Sequence, residues 1–260
     1  MPLQWSPPDL IPPKIISEID AVVNLAGESI APRRWTKERK KLILSSRIDT
    51  TRALVESIGK SDRRPKVLIS ASAVGYYGPR DEEPVNEYTS PSLGYLASVC
   101  LQWEAEAQKA EDFGLRVVRL RIGGVLGAGG GLLAQMVGPF KFFAGGPIGD
   151  GKQWFSWIHR DDVIGIIKYA IENESVSGPV NATAPNPVTN KEFSDALGKA
   201  LNRPAIVNVP VFAVKLALGE LASLLLTGQR VIPEKILEAG YEFKYPTIDE
   251  ALTAIFQKSD

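Results

Sequence analysis

Three short runs carry residue types that suit a ligand: Asn24, Leu25, Ala26 and Gly27; Ser70, Ala71 and Ser72; Arg121, Ile122, Gly123 and Gly124. Each closes an apolar run of the kind that forms a strand buried on both faces. Small residues there let a ligand approach the backbone, and hydroxyls or a guanidinium supply hydrogen bonds. In open parallel sheets ligands sit at the carboxyl ends of strands, in the crevice where strand order reverses. Glycine after a strand is also ordinary turn chemistry, so no single run specifies a site. Tyr76 and Tyr77 stand in the glycine-flanked loop after the second run, above the same crevice. Metal and thiol chemistry are tightly bounded. With one cysteine, Cys100, and one histidine, His159, neither an intrachain disulfide nor a Cys- or His-rich zinc site can be built. Cys100 falls within a helical pattern and reads as a small buried side chain.

The elements that must hold these runs alternate along the chain. Strands are predicted at 20–27, 66–72, 115–125 and 179–183, with helical periodicity over 36–60, 95–110 and 162–173. Capping boxes from Thr189 to Glu192 and from Thr247 to Glu250 open two further helices, the last running over 251–258. Strand and helix alternating through short links imply βαβ units and a parallel sheet covered on both faces. The expected class is therefore α/β: a Rossmann-like, doubly wound parallel sheet with a small C-terminal substrate-side lobe. One domain is expected over 1–260, the lobe coming from about 127–157 and 204–245.

Bulk composition narrows the partners. Thirty basic residues balance thirty acidic ones, so no global field draws nucleic acid. The basic stretch Arg39, Lys40, Lys41 alternates with apolar residues and reads as a solvated helix face. The most apolar stretch, 211–226, carries Lys215 and Glu220 and is too short to span a bilayer; it reads as one amphipathic helix. No secretory or transit signal is legible at the amino end. A lone cysteine fits a reducing compartment: cytoplasm, plastid stroma or mitochondrial matrix.

Taken in order, several phrases resemble the extended short-chain dehydrogenase/reductases, and more closely the atypical branch labelled "epimerase family". They are residues 23–29 (VNLAGES), 34–36 (RWT), 70–78 (SASAVGYYG) and 125–127 (VLG), then 145–149 (GGPIG), 157–159 (WIH) with Asp161 and Asp162, and 228–233 (GQRVIP). The likeness runs from about Trp5 to the carboxyl end, which is similar to DUF1731. It implies NADP or NAD as cofactor for the complete protein, with Asn24, Leu25, Ala26, Gly27, Arg121 and Gly123 as cofactor-binding candidates. It places Ser72 and Tyr95 at the catalytic serine and tyrosine positions, and Tyr76, Tyr77 and His159 on the substrate side. His159 is expected to bond the first turn of the next helix rather than to act as an acid or base.

Two departures qualify that likeness. Residues 3–7 resemble the family's third strand, so the N-terminal βαβ unit, with the glycine turn that holds the pyrophosphate, is expected to be missing. The glycine runs at 127–131 and 145–149 come too late to replace it and are expected to be substrate-side loops. The absent turn counts against dinucleotide binding by this chain alone. The family's lysine, four residues after the tyrosine, would lower the tyrosine pKa, but that position is Val99. Without a nearby cation a tyrosine stays near its reference pKa of about 10 and is a poor base at neutral pH. The leading expectation is thus an NAD(P)-dependent oxidoreductase or nucleotide-sugar-epimerase-like protein with a degraded Ser-Tyr-Lys site, binding a dinucleotide and an unknown small molecule. The alternatives are a non-catalytic regulator or scaffold, related to cell or plastid division and working with a protein partner or as a homodimer, and a shortened product without function.

Overall fold

The computed structural model describes residues 3–31 and 34–257. In chain order the elements begin α1 (Pro13–Ser17), β1 (Ala21–Asn24), α2 (Lys37–Gly59), β2 (Val67–Ala73), β3 (Pro84–Val85), α3 (Tyr95–Gln108), β4 (Arg116–Ile122) and β5 (Gly124–Leu126). There follow α4 (Gly131–Lys141), β6 (Trp154–Phe155), β7 (Trp157–His159), α5 (Arg160–Glu172), β8 (Gly178–Ala182) and β9 (Val188–Thr189). The chain closes with α6 (Asn190–Leu201), α7 (Val211–Leu218), α8 (Ser223–Leu226), β10 (Arg230–Val231), α9 (Glu234–Glu238) and α10 (Ile248–Gln257).

The α/β class holds. Four parallel strands pair in the order β1-β2-β4-β8. Their residues Leu68, Ile69, Val118, Leu120 and Val180 are fully buried, because helices cover both faces. On one face α2 and α3 pack Leu54, Ile58 and Ala107 against Leu68 and Val117. On the other, α5 and α9 set Ile166, Ala170 and Ile236 against Ile69, Val118 and Val180. Thr36 starts α2 by accepting a hydrogen bond from the Arg39 amide, a standard N-cap.

A second core lies beyond the sheet, where α4, α6 and α10 enclose Trp157, Phe193, Leu197, Leu252 and Ile255. Both predicted capping boxes form. Thr189 and Glu192 exchange bonds at the head of α6, as do Thr247 and Glu250 ahead of α10. Lys258, expected at the end of the last helix, lies outside the described residues.

Four expectations need correction. Residues 3–7 form no strand; Pro7 and Pro8 lack ladder donors, and a turn closes from the Asp9 amide to the Ser6 carbonyl. The predicted strand 115–125 splits at Gly123. A Cβ there would lie 2.5 Å from the Ser156 carbonyl oxygen, and after this close approach the chain leaves the main sheet to pair β5 with β7. The stretch 211–226 is two helices joined by a 3-10 turn at 219–222, because Gly219 adopts φ +60°. The glycine run at 127–131 ends in a helix, Gly131 being the first residue of α4.

Candidate active site

The carboxyl ends of β2 and β4 do converge, but on each other. Ser72, at 3% exposure, donates its hydroxyl to Glu104 Oε1 at 2.7 Å. Glu104 projects from α3 and is held by Arg121, whose Nε reaches Oε1 at 2.8 Å and whose Nη2 reaches Oε2 at 2.9 Å. Such a fork-to-fork pair is the strongest geometry open to these two groups. Burial opposes the charge on Arg121, yet the hydrogen bonds and charge of Glu104 hold its guanidinium more firmly protonated than usual.

The network runs further. Arg121 Nη1 donates to the Tyr77 hydroxyl at 3.0 Å, and Tyr77 donates to Asn181 Oδ1 at 2.7 Å on β8. Asn181 offers its amide N–H to Glu87 Oε1 at 2.9 Å. Burial pushes the Tyr77 hydroxyl up to about 12 and raises the Glu87 carboxyl from its ordinary range. Tyr76 lies flat enough against Arg121 to bring the guanidinium 3.4 Å from its ring centroid, a cation–π contact. This cluster ties β2, α3, β4 and β8 together.

Ser72 and Arg121 both hydrogen-bond to Glu104 inside the protein. Tyr77 is fully buried. A Cβ at Gly123 would meet the Ser156 carbonyl oxygen.

Tyr95 opens α3 elsewhere. Its hydroxyl donates to the Lys40 carbonyl at 2.7 Å, and Trp35 packs edge-on to its ring with centroids 5.4 Å apart. Burial raises its pKa, the charges of Arg47 and Arg39 only partly offsetting this. Val99, where the family resemblance implies lysine, is buried. Cys100 is likewise buried and its thiol is pushed up to about 11.

The end of β1 is different, because its backbone is open. Asn24 is buried and shapes the turn: Nδ2 donates to Thr51 Oγ1 at 2.9 Å, while Oδ1 accepts the Ala26 amide at 3.2 Å. Leu25, Ala26 and Gly27 then lie exposed. Beneath Gly27 is Arg47, which donates to the Glu28 and Ile43 carbonyls at 3.0 and 2.9 Å. Arg39 bridges the same loop by pairing with Glu28 at 2.8 Å, while its buried Nε has no partner among the described residues.

His159 caps α5. Its Nδ1 accepts the Asp161 amide N–H at 3.0 Å, and Tyr245 covers the ring at 4.1 Å between centroids. An accepting Nδ1 requires the neutral ring with its proton on Nε2, and burial lowers its pKa accordingly. The unfolded chain therefore takes up a proton more readily than the folded one. This stability is complete above the unfolded value of about 6.5 and declines as pH falls through it toward the folded value. The melting temperature is expected to drop between pH 7.5 and 5.5. An Asn cap at His159 should flatten that dependence, and an unchanged slope in His159→Asn would refute the assignment.

Sequence reasoning missed Glu104, Glu87, Asn181 and Arg47. One signal was present: Glu104 continues the buried face of Ala97, Cys100 and Ala107 at helical spacing, and a carboxylate on an apolar face requires a partner.

Among known proteins, the profile of the NAD dependent epimerase/dehydratase family matches residues 13–182, and that of the domain of unknown function DUF1731 matches 209–255. The chloroplastic epimerase family protein SDR39U1 homolog of Arabidopsis thaliana is 49% identical over 239 residues, covering 91% of this chain and 68% of that protein. Epimerase family protein YfhF of Bacillus subtilis (strain 168) is 42% identical over 254 residues, 97% of this chain and 83% of that protein. The crystal structure of human epimerase family protein SDR39U1 (isoform 2), which was solved with NADPH, superposes with a TM-score of 0.87 at 38% identity, over 92% of this chain and 82% of that one. Among the described residues no helix is long and apolar enough to cross a membrane. The sequence phrases, the four-stranded parallel sheet and these matches agree that the chain belongs to the NAD dependent epimerase/dehydratase family.

Proposed function

We infer that the chain is an NAD(P)-binding oxidoreductase or epimerase-like protein that holds its dinucleotide on the open loop after β1 and has lost tyrosine-based proton transfer. The family carries the cofactor expectation. On this chain the residues that fit a dinucleotide are the exposed backbone of 25–27, the turn set by Asn24, and the Arg39 and Arg47 guanidiniums beneath it. Exposed small residues admit an adenosine or ribose, and Arg39 has a buried donor to spare. When bound, the nicotinamide would supply or accept hydride.

The observation that carries the loss of proton transfer is the pair of committed hydroxyls. The Tyr95 hydroxyl donates a hydrogen bond to the Lys40 carbonyl and the Ser72 hydroxyl donates one to Glu104. Val99, buried within α3, takes the position four residues after the tyrosine where the family resemblance implies lysine. Tyr95→Phe is therefore expected to leave NADPH affinity, read by fluorescence titration, within about twofold of the parent. A tenfold loss would restore Tyr95 to the cofactor site.

A non-catalytic regulator remains a second reading, favoured by the exposed Phe142, Phe143, Ile206, Phe212 and Leu216 of the lobe. Turnover of any substrate would count against it.

A further inference from the structure

We propose that the open pocket of the C-terminal lobe takes an amphipathic monoanion, an apolar body ending in one carboxylate, with Lys215 holding the head group. The proposal rests on the oxidoreductase reading only in treating this ligand as the substrate; its binding stands apart from the cofactor.

The pocket has a volume of about 820 Å³, within the range of small-molecule sites. Its apolar wall is Ile148, Val211, Ala222 and Leu226. Gln153 fixes two sides of it, donating to the Ile148 carbonyl at 3.2 Å and to the Leu225 carbonyl at 2.9 Å. The pocket also borders the Tyr95 region. Glu220 on its rim pairs with Lys40, whose ammonium lies 5.2 Å from the Tyr95 ring centroid and whose carbonyl accepts the Tyr95 hydroxyl.

Charge and shape decide the ligand class. Glu220 is neutralised by Lys40, and Asp150 stands 3.9 Å from Lys152. Ser223 and Thr227 spend their hydroxyls on the Glu220 and Ser223 carbonyls, each at 2.8 Å. Among the described residues Lys215 has no carboxylate within 4.0 Å, so the lining offers one uncommitted cation. A nucleoside diphosphate sugar brings two pyrophosphate charges and a flat base. It needs several cations and an aromatic platform, and no aromatic among the described residues lines this pocket. A single carboxylate on an aliphatic body matches what is present. Phe212 and Leu216, on the helix that supplies Val211 and Lys215, are 73% and 74% exposed.

The test is isothermal titration of the whole chain, without cofactor, with decanoate, octanoate, decanol and UDP-glucose. Decanoate is expected to bind, and octanoate to bind about fifteenfold more weakly, since each buried methylene is worth roughly fourfold. Lys215→Gln should weaken decanoate at least tenfold and leave decanol unchanged. Leu226→Asp should abolish decanoate binding, whereas Phe142→Asp, outside the pocket, should not. Binding of UDP-glucose in competition with decanoate would overturn the proposal. So would an unaltered decanoate affinity in Lys215→Gln, or no decanoate binding by the folded parent. None of these results bears on whether NADPH binds, so the two readings fail separately.

Discussion

Replacing Glu104 with alanine is expected to cost about 3–5 kcal/mol of folding stability, because it leaves a buried guanidinium without its counter-charge. Arg121, at 3% exposure, would keep the Tyr77 hydroxyl at 3.0 Å, the Glu87 carbonyl at 3.4 Å and the Tyr76 ring, none of them charged. Domains of this kind hold about 5–15 kcal/mol in total, so the variant should unfold at markedly lower urea. The cost comes from the orphaned partner rather than from the pair's net worth. Glu104→Leu combined with Arg121→Met should therefore recover most of the loss. Ser72→Ala removes one of several bonds to the same carboxylate and should cost only about 1 kcal/mol. A Glu104→Ala loss under 1 kcal/mol in urea denaturation would sink this account of the network.

The second large effect is expected at Asp162, which is fully buried in the first turn of α5. Its Oδ1 accepts the Lys244 amide at 2.7 Å and the Tyr241 hydroxyl at 3.2 Å, and its Oδ2 accepts the Tyr245 amide at 3.1 Å. One carboxylate thus pins residues 241–245, which lead from α9 into the second core through Tyr245 and Ile248. Asp162→Ala strands two backbone donors, each worth about 1–3 kcal/mol when left unpaired. A loss of about 2–6 kcal/mol follows, together with faster proteolysis near 241–247, where the anchor is gone. Protease resistance equal to that of the parent would show that the segment is held by other means.

The sequence made the frame readable because its signals are local. Apolar runs such as 67–73 can be buried on both faces only in a covered parallel sheet, and Thr189 with Glu192 closes its box within four residues. The resemblance likewise drew attention to Ser72, Tyr95, Arg121 and His159. What each of them does was hidden, because the deciding partner is distant in the chain. Ser72 meets Glu104, Arg121 meets both Glu104 and Tyr77, and Tyr95 meets the Lys40 carbonyl. A hydroxyl at a strand end reads the same whether it faces a ligand or a buried carboxylate. The breaks at Gly123 and Gly219 were hidden for a related reason. One depends on the Ser156 backbone beside it, and the other on a left-handed turn that periodicity alone does not reveal.

The central claim is that the loop after β1 is this chain's contribution to a dinucleotide site. Its most direct test is thermal melting, with and without NADPH, of this chain and of the chain preceded by the strand, glycine turn and helix that the family resemblance implies. A ligand at a hundred times its dissociation constant stabilises the native state by about 2.7 kcal/mol, a shift of several degrees. The account predicts such a shift on adding NADPH. A cooperative melt that NADPH leaves unmoved in both would contradict it.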